Sequence, residues 1–120
     1  MELRVDNKHA ILRGEIEGEL NKEVAAEYFN EVLKLSAGNK LKGLLTDVRK
    51  AQLSADQKDM ETLSQELVQL GLDDGLWRAL VVKEDVGGYK KWENHNLMAG
   101  FKRLRLFVDC ERAEEWLVEQ

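Results

Sequence analysis

The chain has 120 residues, of which 43% are hydrophobic and 34% charged, with a formal net charge of -5. That length and mixture fit one globular domain, 1–120, around one core and exclude an intrinsically disordered chain. The acidic balance argues against a nucleic-acid module, because the basic cluster Lys102-Arg103 with Arg105 is too small to hold a phosphate backbone.

Met1 to Asn7 is polar and lacks the apolar segment of a secretion signal, and the apolar runs fall far short of the roughly 20 residues of a membrane span. The expectation is a cytoplasmic protein without a membrane span. The single Cys110 cannot form an intramolecular disulfide, which fits a reducing compartment.

In chain order, Leu3-Arg4-Val5 predicts a short strand, Asp6-Asn7-Lys8 a turn, and His9 to Ile16 a second strand with Ala10, Leu12 and Gly14 on one face. Together they make an opening hairpin. Asn21 then caps a helix in which Val24, Ala25, Tyr28, Phe29, Val32 and Leu33 recur at spacings of three and four, and Gly38-Asn39 ends it. Lys42 to Arg49 predicts a buried strand, followed by a turn over Lys50-Ala51-Gln52-Leu53-Ser54.

Ser54 followed three residues later by Gln57 has the spacing of a capping box, so a second helix is expected from about Ala55, with Met60, Leu63, Leu67 and Leu70 as its apolar stripe. Gly71 with Asp73-Asp74-Gly75 ends it. Trp77 to Val82 predicts the next strand, and its apolar run Ala79 to Val82 is the mark of a strand buried on both faces. Glu84-Asp85-Val86-Gly87-Gly88 reads as a loop, Tyr89 to Ala99 as a third helix closed by Gly100, and Leu104 to Val108 as the last strand. Asp109 caps a closing helix that buries Ala113, Trp116 and Leu117. The order β-β-α-β-α-β-α-β-α predicts an α/β fold whose sheet is mixed and mainly parallel, with right-handed crossovers.

In this order, Ile11-Leu12-Arg13-Gly14-Glu15-Ile16, Gly43-Leu44-Leu45-Thr46-Asp47-Val48-Arg49, Ala79-Leu80-Val81-Val82 and Leu104-Arg105-Leu106-Phe107-Val108-Asp109 through Trp116-Leu117 resemble the SpoIIAA-like family over nearly the whole chain. That family is related to the STAS domain of anti-sigma-factor antagonists and looks like the CRAL-TRIO lipid-transfer fold. The antagonists carry an Asp-Ser-Ser-Gly-type segment after the central strand, where a Ser is phosphorylated. This chain has Thr46-Asp47-Val48-Arg49-Lys50-Ala51 there and departs from that segment. The resemblance implies a regulatory or interaction domain and no particular enzymatic activity.

The polar residues after the central strand, Asp47, Arg49 and Ser54, are the candidate partner or phosphate site. Ser54 at a helix N-terminus would meet free backbone N–H groups, or would serve only as a helix cap. Asp47 and Arg49 share a face of an extended segment and either orient a polar ligand or pair with each other. Glu84, Asp85 and His95 could join Asp47 only if the fold converges them. Tyr89, Trp92, Leu97, Met98 and Phe101 form a candidate apolar site, for a fatty acid or lipid, between the third helix and the sheet; the alternative is that Trp92 and Ala99 are core and Tyr89 and His95 its rim.

His9 and His95 with Cys110 are too few and too scattered for a metal site, Gly87-Gly88 lacks the remaining glycine of a dinucleotide loop, and no nucleophile elbow occurs. No cofactor is expected. The sequence therefore points first to a non-enzymatic domain that binds a protein partner or a second copy of itself as a homodimer, and second to a carrier of a small apolar molecule.

Overall fold

The computed structural model describes residues 1–38, 40–69, 76–83, 89–90, 93–94 and 103–120, apart from the side chains of residues 57, 60, 64 and 67–69. It is an α/β structure with strands β1 (Glu2–Asp6), β2 (Ile11–Leu20), β3 (Gly43–Leu53), β4 (Trp77–Val81) and β5 (Leu104–Phe107) in one sheet of order β1-β2-β3-β4-β5. β1 is antiparallel to β2, and the remaining pairs are parallel. Helices α1 (Lys22–Ala37), α2 (Gln57–Gln69) and α3 (Cys110–Val118) accompany them among the described residues. Tyr89, Lys90, Glu93 and Asn94, in the crossover from β4 to β5, are also helical. No helix among the described residues is long and apolar enough to cross a membrane.

Alternation along the strands divides the core in two. Leu12, Ile16, Leu44, Val48, Leu80 and Leu104 meet Ala25, Tyr28, Phe29 and Val32 of α1, Leu63 of α2 and Tyr89. On the other face Ile11, Leu45, Ala79 and Val81 meet Ala113 and Leu117 of α3. Gly43 to Thr46 are buried without a break because helices cover both faces there, as the apolar run anticipates. Each fully buried Leu or Ile stabilises this arrangement by about 1.5–3 kcal/mol relative to its exposed state.

Both polar helix caps expected at the two ends of the chain form. The Asn21 side chain accepts the Val24 N–H at 2.8 Å, and Asp109 accepts the Glu111 N–H at 2.9 Å. The C-terminal carbonyl of Val118 accepts from Lys42 Nζ at 2.7 Å, so α3 is held at both ends.

The middle of the chain corrects two expectations. Lys50 to Leu53 are not a turn. β2 runs on to Leu20 and pairs with them, Glu17 with Lys50 and Leu20 with Leu53, after an irregularity in which two steps of β2 face three of β3. Ala51 and Leu53 reach the core on one face while Lys50 and Gln52 stay in water, which is strand alternation. The second helix therefore starts later than Ala55, and Ser54 does not cap it. Asp56 does: its Oδ1 accepts the Asp59 N–H at 2.8 Å, while Asp59 Oδ2 accepts the Asp56 N–H at 3.4 Å.

Of the expected α2 stripe, Leu63 is 2% exposed. The side chains of Met60 and Leu67, the residues Leu70, Gly71 and Asp73 to Gly75, the loop Glu84 to Gly88, and Trp92, His95 and Leu97 to Phe101 lie outside the described residues.

Candidate functional site

Asp47 and Arg49 do come together. Arg49 grips the carboxylate as a fork, with Nε 3.0 Å from Oδ1 and Nη2 2.7 Å from Oδ2, and its own N–H donates to Oδ1 at 3.0 Å. Residues two apart on a strand share a face, which sets the two side chains side by side. Burial disfavours the charge on Asp47, but the Arg49 hydrogen bonds outweigh it and hold the carboxyl below its usual range.

This pair lies on the face that α3 covers, whereas α2 packs on the opposite face. Ser54 is distant from it, five residues further along an extended chain or roughly 17 Å at ~3.3 Å per residue. Its Oγ donates to Glu19 Oε1 at 3.0 Å. Asp56, not Ser54, accepts the N–H at the start of α2, so Ser54 is not the helix cap.

Around Asp47 the exposed sheet face carries a charge lattice over a shallow depression of about 500 Å³, lined by Glu2, Arg4, Arg13, Glu15 and Cys110 among others. Arg13 bridges Asp6 and Glu114 at 3.1 Å each, fastening α3 to the opening hairpin. His9 Nδ1 sits 2.9 Å from Asp6 Oδ2. The His9 contact and then Arg13 hold the Asp6 carboxyl at about 2, against the opposing effect of burial. Lys50 lies between Glu15 and Glu17 at 3.4 and 3.5 Å. Burial pushes the Cys110 thiol up, away from thiolate reactivity. No group of three or more His, Cys, Asp or Glu among the described residues is placed to hold a metal ion.

Of the expected apolar-ligand residues, Tyr89 is described. It is 8% exposed and belongs to the main core, and its hydroxyl meets no hydrogen-bond partner among the described residues. Burial raises its pKa to about 12. Trp92, Leu97, Met98 and Phe101 lie outside the described residues. An apolar recess exists elsewhere, between α1, α2 and the sheet, walled by Ile16, Leu20, Phe29, Val48, Leu53 and Leu63, with a volume of about 20 Å³.

One concavity formed by described residues was not singled out from the sequence. It is an open groove of about 840 Å³ between β5 and α3, lined by Arg105, Phe107, Val108, Arg112, Glu115 and Trp116 among others. Trp116 packs edge-on against Trp77 with centroids 5.8 Å apart and tilted against Phe107 at 5.6 Å. Arg103 stacks over Trp77 at 4.9 Å and Arg105 over Phe107 at 5.6 Å. The signal was present in two places: Arg103, Arg105 and Phe107 alternate onto one face of a strand, and Arg112 and Trp116 are four apart on a helix. What joins them is the packing of α3 on the sheet.

No protein-family model matches the chain, and the comparison with curated proteins returns no significant match.

Proposed function

We propose that this chain is a non-enzymatic protein-interaction domain, of the STAS-like kind its SpoIIAA-like resemblance implies, and that a protein partner docks in the groove between β5 and α3. The observation that carries this reading is the pair of partly exposed rings, Phe107 and Trp116, set in an open groove with Arg105 and Arg112 along it. Trp and Arg are the residue types on which binding energy at protein interfaces concentrates. Val108, 55% exposed, adds apolar surface at the same place. The Asp47–Arg49 pair supports binding less well, because its two charges are already matched with one another.

The recess between α1, α2 and the sheet gives the carrier reading little support, since its 20 Å³ holds about one water molecule. A fatty acyl chain would require α1 and α2 to part.

The test is quantitative affinity capture from cells that express the protein, comparing wild type, the double variant Arg105→Glu/Arg112→Glu, and Lys34→Glu as a control on the exposed surface of α1. A partner held by wild type and control and lost from the double variant supports the groove. Equal capture by all three places the docking surface elsewhere.

A further inference from the structure

The two edges of the sheet are finished differently. On the β5 edge the amide of Leu106 donates to the buried Glu93 carboxylate at 2.9 Å, so that edge is capped from within the chain. On the β1 edge none of the described residues does the same.

The direction of the free groups on β1 follows from the ladder. Gly43 N donates to the Ala10 carbonyl at 3.4 Å, which turns Ala10, Leu12 and Gly14 toward β3 and Ile11, Arg13 and Glu15 toward β1. Their β1 partners are Asp6, Arg4 and Glu2. Leu3 and Val5 therefore hold their amides and carbonyls outward.

The charges on β1 also suit something other than their own sheet. Glu2 stands opposite Glu15, and Arg4 opposite Arg13. Like charges directly across strands are destabilising. Arg13 is neutralised by Asp6 and Glu114, and Glu15 by Lys50, but neither Glu2 nor Arg4 makes an ion pair with another described residue.

A second β1, laid antiparallel about a two-fold axis through Leu3, resolves both features. It sets Leu3 against Leu3, Glu2 against Arg4 twice, and Met1 against Val5 twice. The outward backbone groups of Leu3 and Val5 then lie in the hydrogen-bonded rungs, and the opposite charges meet in the closer, non-hydrogen-bonded rungs. Met1, 50% exposed, joins Leu3 and Val5 on the apolar face. Other registers fit worse. An axis at Arg4 sets Arg4 on Arg4 and Glu2 on Asp6, and an axis at Val5 needs Asp6, which His9 and Arg13 already hold.

We infer that two copies of this chain pair through β1 in the Leu3-centred register, joining two five-stranded sheets into one continuous sheet. This interface is separate from the β5–α3 groove and stands whether or not that groove docks a partner. It is short, so association is a concentration-dependent equilibrium rather than an obligate dimer.

Sedimentation equilibrium of the full chain, carried up to about 1 mM, the weak end of specific association, tests it. Wild type is expected to dimerise. Glu2→Arg places like charges in both symmetric contacts and weakens dimerisation by about tenfold or more, while Glu2→Arg/Arg4→Glu restores it. Hydrogen exchange at the Leu3 and Val5 amides slows as the dimer forms. Circular dichroism checks the fold of each variant, and Glu2→Arg relieves the contact with Glu15 and leaves the monomer folded. A wild type that stays monomeric throughout overturns the inference. So does a Glu2→Arg variant that dimerises as well as wild type, a double variant that fails to recover, or a dimer whose Leu3 and Val5 amides exchange as in the monomer.

Discussion

Replacing Gly14 with Ala tests how α1 is fixed on the sheet. A Cβ at this position in β2 collides with the Tyr28 hydroxyl and comes within 2.7 and 2.8 Å of two ring carbons. Carbon atoms prefer a separation of about 3.5–4.0 Å. The ring cannot withdraw freely, because its hydroxyl is 2.7 Å from Thr46 Oγ1, Tyr28 is fully buried and Phe29 packs edge-on at 5.4 Å. Overpacking of this kind costs about 1–3 kcal/mol. Displacing the ring also breaks a buried hydrogen bond, at a further ~1–3 kcal/mol. The lower chain entropy of Ala in the unfolded state offsets up to ~1 kcal/mol. The net expectation is a loss of about 1–6 kcal/mol, read as a lower denaturation midpoint at unchanged m in urea. In a Tyr28→Leu background the same Gly14→Ala change is expected to cost less than ~1 kcal/mol, because the hydroxyl and ring tip are absent. A loss below ~0.5 kcal/mol in the wild-type background, or equal losses in both, refutes the packing argument.

Three further predictions concern the caps and the hairpin. Glu93→Ala leaves the Leu106 amide without its carboxylate and lowers stability by about 1–3 kcal/mol, with faster hydrogen exchange at Leu106; unchanged exchange there contradicts the cap. Asp56→Ala lowers stability by about 1 kcal/mol, whereas Ser54→Ala, an exposed change away from the helix end, stays within ~0.5 kcal/mol; the reverse order in thermal denaturation would return the cap to Ser54. Because the Asp6 carboxyl is depressed to about 2 in the folded protein, its contribution to stability is full above the ordinary carboxylate range near 4 and is lost as pH falls through about 2. Carboxyl NMR titration should place Asp6 near that value and move it upward in Arg13→Gln. A midpoint near 4 in wild type removes the His9–Asp6–Arg13 contact from the account.

Where local chemistry determined structure, the sequence was legible. Asn21 and Asp109 cap the helices expected of them, the 3–4 spacing of Ala25, Tyr28, Phe29 and Val32 became the buried stripe of α1, and Asp47 and Arg49 pair as neighbours on one side of a strand. Misreading began at Lys50. Arg49, Lys50 and Gln52 look like the polar end of a strand unless one knows that Glu17 and Glu19 continue alongside to receive them, and that partner is some thirty residues earlier. Once the strand was cut short, Ser54 inherited a capping role that Asp56 performs. The groove was hidden for the same reason: Arg105 and Phe107 acquire meaning beside Arg112 and Trp116 only after α3 crosses the sheet. Local spacing cannot report such non-local pairings.

The most direct test of the interaction reading is site-specific photo-crosslinking in cells that express the protein, with benzoyl-phenylalanine placed at Arg112 in the groove and, separately, at Lys34 on α1. The account predicts a discrete protein adduct from position 112 that is absent at position 34. No adduct at 112, or the same adducts from both positions, would contradict the claim that the groove between β5 and α3 is where a partner binds.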